Sequence, residues 1–317
     1  MTSQKLIFLY SILFSAVIVF LIFYFDFSPI GVQLLPDTGA SHYYWKLPVR
    51  ENMIMLCVWA LYGLHQISIW LLLLRQKNAP NTKGTVALLL TNGFFVIAHL
   101  LQTQFFYDGL AQDSPIWLPQ VLVIIVLVFI LILRSDKRGL FFGKPLKSYP
   151  NFKQLLRKYH GVFASFAIIF TFWFHPMVAT SGHLIGFFYL FLLLKQVSFA
   201  FTSLHTNRYW IFALEIGVLF HGTLVAVGQG NHIWPMFLFG FGFLAVVTQI
   251  YDIGLKALHI RMLQAFYLAT LVYVYALSSF SSVDKMQQVL YIPFIEYGVA
   301  FLLMMVGERL ARKRTTS

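Results

Sequence analysis

The sequence predicts an all-α, polytopic integral membrane bundle of about ten transmembrane helices with both termini in the cytoplasm. Three observations carry that reading. Apolar residues make up 59% of 317 positions and charged residues only 11%, whereas water-soluble domains hold about 25% charged residues. The mean hydropathy is +0.75. Lys and Arg also fall almost wholly on alternate connections between apolar runs, the asymmetry that fixes topology.

A helical span needs about 20 apolar residues to cross about 30 Å of hydrocarbon. Ten stretches qualify: 5–27, 53–74, 85–107, 115–133, 159–179, 183–204, 208–228, 233–251, 257–279 and 289–307. The first follows Lys5 and has no small-residue cleavage site after it, so it reads as a retained anchor rather than a signal peptide. With the N-terminus inside, the outer connections hold only Lys46, Arg50 and Lys285, and Lys195 lies within a span. Every other cation is inner. The chain thus reads as one membrane domain of the cell membrane (plasma or inner). It divides into four spans over 1–133, a basic cytoplasmic loop at 134–158, histidine-bearing spans over 159–228, and three last spans with a basic tail over 229–317.

Two connections are long. The outer segment 28–52 contains His42-Tyr43-Tyr44-Trp45-Lys46, an aromatic cluster suited to the headgroup region. The inner segment 134–158 carries eight cations and is expected to lie on anionic lipid, each cation contributing about 1 kcal/mol. The net charge of +12 is thereby a membrane signal. Zinc-finger spacing, an RNP run and a solvated basic helix are all missing, which excludes nucleic acid as the partner. The lone Cys57 excludes an intramolecular disulfide and Cys-based zinc sites.

Polar groups inside hydrocarbon are costly, and each is by default a functional candidate. Of ten histidines, five fall between His160 and His221. Span five carries His160 at its inner edge and His175 near its outer edge. Span seven is entered just after His205 and carries His221 in its outer half. Imidazole pairs at two depths are what two b-type haems need, one ligand from each helix per iron. Lys195 and Glu215 lie about nine and about seven residues from the inner ends of spans six and seven, a similar depth of about 10–14 Å. An ion pair is expected between them, because either charge alone would be expensive. A second set, His65, His99, His221 and Glu296, gathers in the outer half. It offers a Zn²⁺ or iron site, a proton path or a quinone headgroup site. Gly228-Gln229-Gly230, Gly240-Phe241-Gly242 and Asp37-Thr38-Gly39 lack the context of a dinucleotide loop or protease and carry no chemistry.

The stretch Leu156-Arg157-Lys158-Tyr159-His160-Gly161 through Phe174-His175-Pro176, with Ala200-Phe201-Thr202-Ser203 through Arg208-Tyr209-Trp210 to Leu219-Phe220-His221-Gly222, resembles the ferric reductase-like transmembrane family, which includes the membrane parts of NADPH oxidases. The resemblance covers about residues 150–225. It implies haem b held by His160 with His205 and by His175 with His221, the last pair as the firmer iron ligands. It also implies electron transfer within or across the bilayer. The family's flavin and NADPH module is not in this sequence, so the electron source would be quinone or a redox partner subunit. Beside this redox reading stand a proton-coupled permease using Lys195, Glu215, His99, His221 and Glu296, and a non-catalytic assembly subunit.

Overall fold

The computed structural model describes residues 3–25, 51–228, 230, 232–277 and 283–315. The outer aromatic cluster at 42–46 lies outside the described residues. Ten α-helices occur among those described, and no strand: α1 Ser3–Phe25, α2 Asn52–Asn78, α3 Thr82–Phe106, α4 Trp117–Arg138, α5 Pro150–Phe174, α6 Ser181–Ser198, α7 Arg208–Gly228, α8 Trp234–Val247, α9 Ala257–Val272 and α10 Tyr291–Thr315. A π-helical turn at Tyr273–Leu277 ends α9, and a 3₁₀ helix at Val283–Leu290 precedes α10.

Eight segments are long and apolar enough to cross a membrane, so the protein is a multi-pass membrane protein by length and composition. Two of the ten expected spans fall short of that criterion. The first half of α5 carries Lys153, Arg157, Lys158 and His160, leaving an apolar portion that starts only at Val162. Its end at Phe174 is set by His175-Pro176, because the residue before proline is disfavoured in helix. The other is α6, a shorter apolar helix at Gly182–Ser198. Thr180 caps it, its Oγ1 accepting from the His183 N–H at 3.2 Å, which satisfies one orphan donor of the first turn.

The chain forms two compact units, Met1–Val123 with Gly161–His205, and Ile124–His160 with Thr206–Ser317. In the first, α2 and α3 form a tight hairpin. Asn81 caps α3 by accepting from the Gly84 N–H at 2.8 Å, and Gln76 bonds Asn81 at both its amide atoms. A side chain on Gly84 would run into the Gln76 amide. Helix α1 packs on α6, where Phe8 meets Phe199 edge-on at 5.8 Å.

In the second unit, α8 is the central element, packed by α7, α9, α10 and the 3₁₀ helix. Its glycines permit close approach, as small residues do between membrane helices. A Cβ on Gly240 would lie 3.0 Å from Ile292, and one on Gly242 3.2 Å from Tyr267. Below them Val128, Leu131, Ile132, Leu156, Leu244, Ala300 and Met304 form a buried apolar cluster.

Candidate functional site: two buried polar clusters

Each unit buries one polar cluster. In the first unit it is built on the middle and end of α3, where Asn92, His99, Gln102 and Thr103 are buried. Hydrogen-bond direction can be read through it. The Trp173 indole N–H donates to His65 Nδ1 at 3.1 Å, and indole can only donate. His65 must then carry its proton on Nε2 and donate to Asn92 Oδ1 at 2.8 Å. Asn92 Nδ2 donates to Ser198 Oγ at 2.9 Å, and Ser198 to the Leu194 carbonyl at 2.9 Å. The chain of bonds ties α5, α2, α3 and α6 and fixes His65 as a neutral imidazole with both nitrogens in use.

His99 has no exposed surface. Its Nε2 lies 2.7 Å from the His175 carbonyl and its Nδ1 2.8 Å from Gln102 Oε1. Its ring rests on Trp173, centroids 4.3 Å apart. Gln102 Nε2 in turn donates to the Asp108 carbonyl at 3.1 Å. Tyr107, Asp108, Leu110 and Ala111 are buried, an unusual condition for a loop, since buried backbone groups all need partners. Tyr107 sits at φ 39° as it leaves α3. Gly109 then passes so close to the end of α5 that a Cβ would stand 2.7 Å from the Phe174 carbonyl oxygen. Beyond the helix end, Thr103 Oγ1 accepts from the Met177 N–H at 3.0 Å, and the rings of His175 and His183 meet edge-on at 5.4 Å.

In the second unit the cluster is ionic. Arg138 donates from Nη1 and Nη2 to the two oxygens of Glu215, at 2.7 and 2.5 Å. Arg134 donates from Nε to Asp252 Oδ2 at 2.7 Å and also through Nη2. Arg138 Nη1 is 4.0 Å from the same Asp252 oxygen. Two cations and two carboxylates thus balance, all buried. Beside them Thr248 Oγ1 contacts the Tyr297 hydroxyl at 2.6 Å and bonds the Leu140 carbonyl. Adjacent Glu296 is 2% exposed. Its Oε1 has no hydrogen-bond partner among the described residues.

Where a Lys195–Glu215 pair was expected, Arg138 takes both oxygens of Glu215, and Lys195 Nζ donates to Ser15 Oγ and, at 3.2 Å, to the Phe191 carbonyl. An arginine fork matches a carboxylate with two bonds where an ammonium is a point charge. The eight-residue 3₁₀ helix carries the chain about 16 Å at about 2.0 Å per residue. Tyr297, the next residue to Glu296, thereby reaches Thr248 at the C-terminal end of α8. His65 and His99 use both ring nitrogens in hydrogen bonds, and no group of three His, Cys, Asp or Glu capable of holding a metal exists among the described residues.

The basic segment divides into buried and exposed cations. Arg134, Arg138 and Lys153 are buried. Lys153 pairs with Asp136 at 2.6 Å, as does Arg157 at 2.5 Å. The exposed cations are Lys137, Lys144, Lys147, Arg157 and Lys158.

His160, at the end of a basic helical turn, has Nδ1 2.9 Å from the Arg157 carbonyl. His205 lies in the turns before α7, outside regular helix, with Nδ1 3.0 Å from the Gln196 carbonyl. His175 and His221 are half-buried. The residues missed by sequence reasoning are Asn92, Gln102, Asp108, Trp173, Arg134, Arg138 and Asp252. A polar residue inside an apolar run was the available signal for Asn92 and Gln102. Nothing local marks Arg138 as a buried partner rather than a surface cation.

Comparison of the chain with family models, with curated proteins and with solved structures finds no match.

Proposed function

We propose that this protein is a proton-coupled permease of the cell membrane, crossing it ten times with both ends in the cytoplasm. The observation that carries the reading is Glu296. A carboxyl group buried among membrane helices is expensive and persists where it works. Here the neighbouring charges already neutralise one another as Arg138–Glu215 and Arg134–Asp252 pairs, and among the described residues no cation pairs with Glu296. It is the group in that cluster available to bind and release a proton, while the paired arginines tie α4 to α7 and to the segment that follows α8. The test is a pH step applied to reconstituted vesicles on a solid-supported membrane. Wild type is expected to give a transient charge displacement with a component that Glu296→Gln removes and Glu296→Asp retains. An unchanged transient in Glu296→Gln overturns the assignment.

A second reading keeps the resemblance to the ferric reductase-like family. His160 and His205 each engage Nδ1 with a backbone carbonyl, the contact that orients an imidazole so that Nε2 can ligate a metal. The donor chemistry suits haem b, which His160 with His205 and His175 with His221 would hold. Bound haem would supply one-electron transfer, fed by quinone or a partner subunit. A reduced-minus-oxidised absorption difference lost in His175→Ala or His221→Ala supports this reading. A folded, colourless preparation eliminates it.

A further inference from the structure

Gln66 on α2 is buried, and neither its amide oxygen nor its amide nitrogen has a hydrogen-bond partner among the described residues. The other buried polar side chains nearby are served: His65 meets Asn92, and His99 meets Gln102. A buried amide bonded to nothing carries the desolvation cost of both its atoms. Inside a bilayer such a group is kept where it works.

The helix fixes where this amide faces. At about 100° per residue, Gln66 lies about 40° from Tyr62, one turn before it, and about 40° from Trp70, one turn after it. Both of those rings meet α5. Tyr62 packs edge-on against Phe170 at 5.9 Å, and the Trp70 indole donates to Ser165 Oγ at 3.1 Å and to the Val162 carbonyl at 3.3 Å. Gln66 therefore faces the part of α5 between those contacts, which is Phe166, Ala167, Ile168 and Ile169. All four are apolar, so α5 offers no side-chain partner there. Space lies beside the amide instead. A helical side chain leans over the turn that precedes it, which carries the Gln66 amide toward Gly63. A Cβ on Gly63 would meet nothing within 4 Å. Trp59 and Trp70 lie within about 40° of Gly63 around the helix, so an indole flanks that space on either side along α2.

We propose that this face of α2 is a binding site for a flat, uncharged amide, whose C=O accepts from Gln66 Nε2 while its N–H donates to Gln66 Oε1. The surroundings select that class. Residues 59–70 and 162–174 contain no Asp, Glu, Lys or Arg, so a charged ligand would be stranded in hydrocarbon. A carboxamide is a donor and an acceptor side by side, and a ligand carrying the same pair satisfies both atoms at once. Aromatic walls with one polar group that sets orientation are the usual make-up of a small-molecule site, and ring edges and faces favour a flat occupant. A lipid chain in the same space would leave both amide atoms unmet. The site belongs to the first unit and uses no group of the Glu296 cluster, so it stands or falls apart from the proton assignment.

Thermal unfolding of the purified full chain in detergent tests the site in two steps. Without ligand, Gln66→Met keeps the volume and removes the unmet amide, and is expected to raise the unfolding midpoint. With ligand, benzamide is expected to raise the midpoint of wild type. N,N-dimethylbenzamide has the same ring and carbonyl but no N–H, and is expected to bind at least about tenfold more weakly. Gln66→Met should abolish the benzamide shift. Gly63→Leu, which fills the space beside the amide, should abolish it too, without lowering the ligand-free midpoint. A Gln66→Met protein that unfolds below wild type would show that the amide has a partner within the chain. That result overturns the proposal, as does a wild type indifferent to benzamide, an equal response to the two benzamides, or a benzamide shift that survives either substitution.

Discussion

Arg138 grips Glu215 with both ends of its guanidinium, at 2.7 and 2.5 Å, in a site from which both side chains exclude solvent. Breaking such a pair strands one charge, which costs about 3–5 kcal/mol, whereas replacing both partners by apolar residues of similar size is often neutral. Arg138→Ala and Glu215→Ala are each expected to lower the midpoint of thermal unfolding in detergent sharply. The double variant Arg138→Met with Glu215→Leu should recover most of the loss. A double variant no better than either single change would show that the pair is not the unit of stability.

Lys195 makes the opposite case. Its partners are neutral, the Ser15 hydroxyl and the Phe191 carbonyl, so no opposite charge is left behind when it goes. Lys195→Met is expected to change unfolding by less than about 1 kcal/mol, in the range of volume-conserving core swaps. A loss as large as that of Arg138→Ala would mean that Lys195 holds a charge partner after all.

In the first unit, Asn92 receives from His65 and gives to Ser198. Asn92→Leu removes one acceptor and one donor and leaves both neighbours unsatisfied. The cost is expected to be about 1–3 kcal/mol for each stranded group. Thermal unfolding of Asn92→Leu beside Asn92→Asp, which retains the acceptor facing His65, separates hydrogen bonding from packing. Equal losses in the two would argue for packing alone.

Gly109 has backbone, not side chain, in the space a methyl would need, with the Phe174 carbonyl oxygen 2.7 Å away. Gly109→Ala must push the loop off the end of α5, and overpacking of this kind costs about 1–3 kcal/mol. Faster amide hydrogen exchange at residues 107–112 and 175–178 is the expected signature. Unchanged protection in both segments would show that the loop does not depend on this contact.

Of the five exposed cations in the basic segment, Lys144 and Lys147 lie between its two helices and are expected to meet anionic headgroups. Retention of phosphatidylglycerol by the purified protein, followed by native mass spectrometry, is expected to fall in Lys144→Gln with Lys147→Gln, at about 1 kcal/mol per cation. Lys153→Gln should instead reduce stability, because Lys153 is buried on Asp136. Equal lipid retention in wild type and the Lys144/Lys147 variant would remove the loop as a lipid contact.

The helices were legible because hydrocarbon demands long apolar runs with closed backbone hydrogen bonding, and such runs are visible one residue at a time. Their termini were legible where a local rule acts, as at Asn81, Thr180 and His175-Pro176. That His65, His99, Lys195, Glu215 and Glu296 would be buried was also readable, since each interrupts an apolar run. Who meets whom was not. Glu215 pairs with an arginine 77 positions away that charge patterning assigned to the cytoplasmic loop, and Glu296 is displaced along α8 by a 3₁₀ segment that hydropathy cannot distinguish from α-helix. Composition alone thus determined that this chain lives in a bilayer and which polar side chains must be accounted for. Only the tertiary structure decided their partners, because hydrogen-bond direction and ion pairing depend on atoms brought within about 3 Å by packing, and packing is not written in any single stretch of sequence.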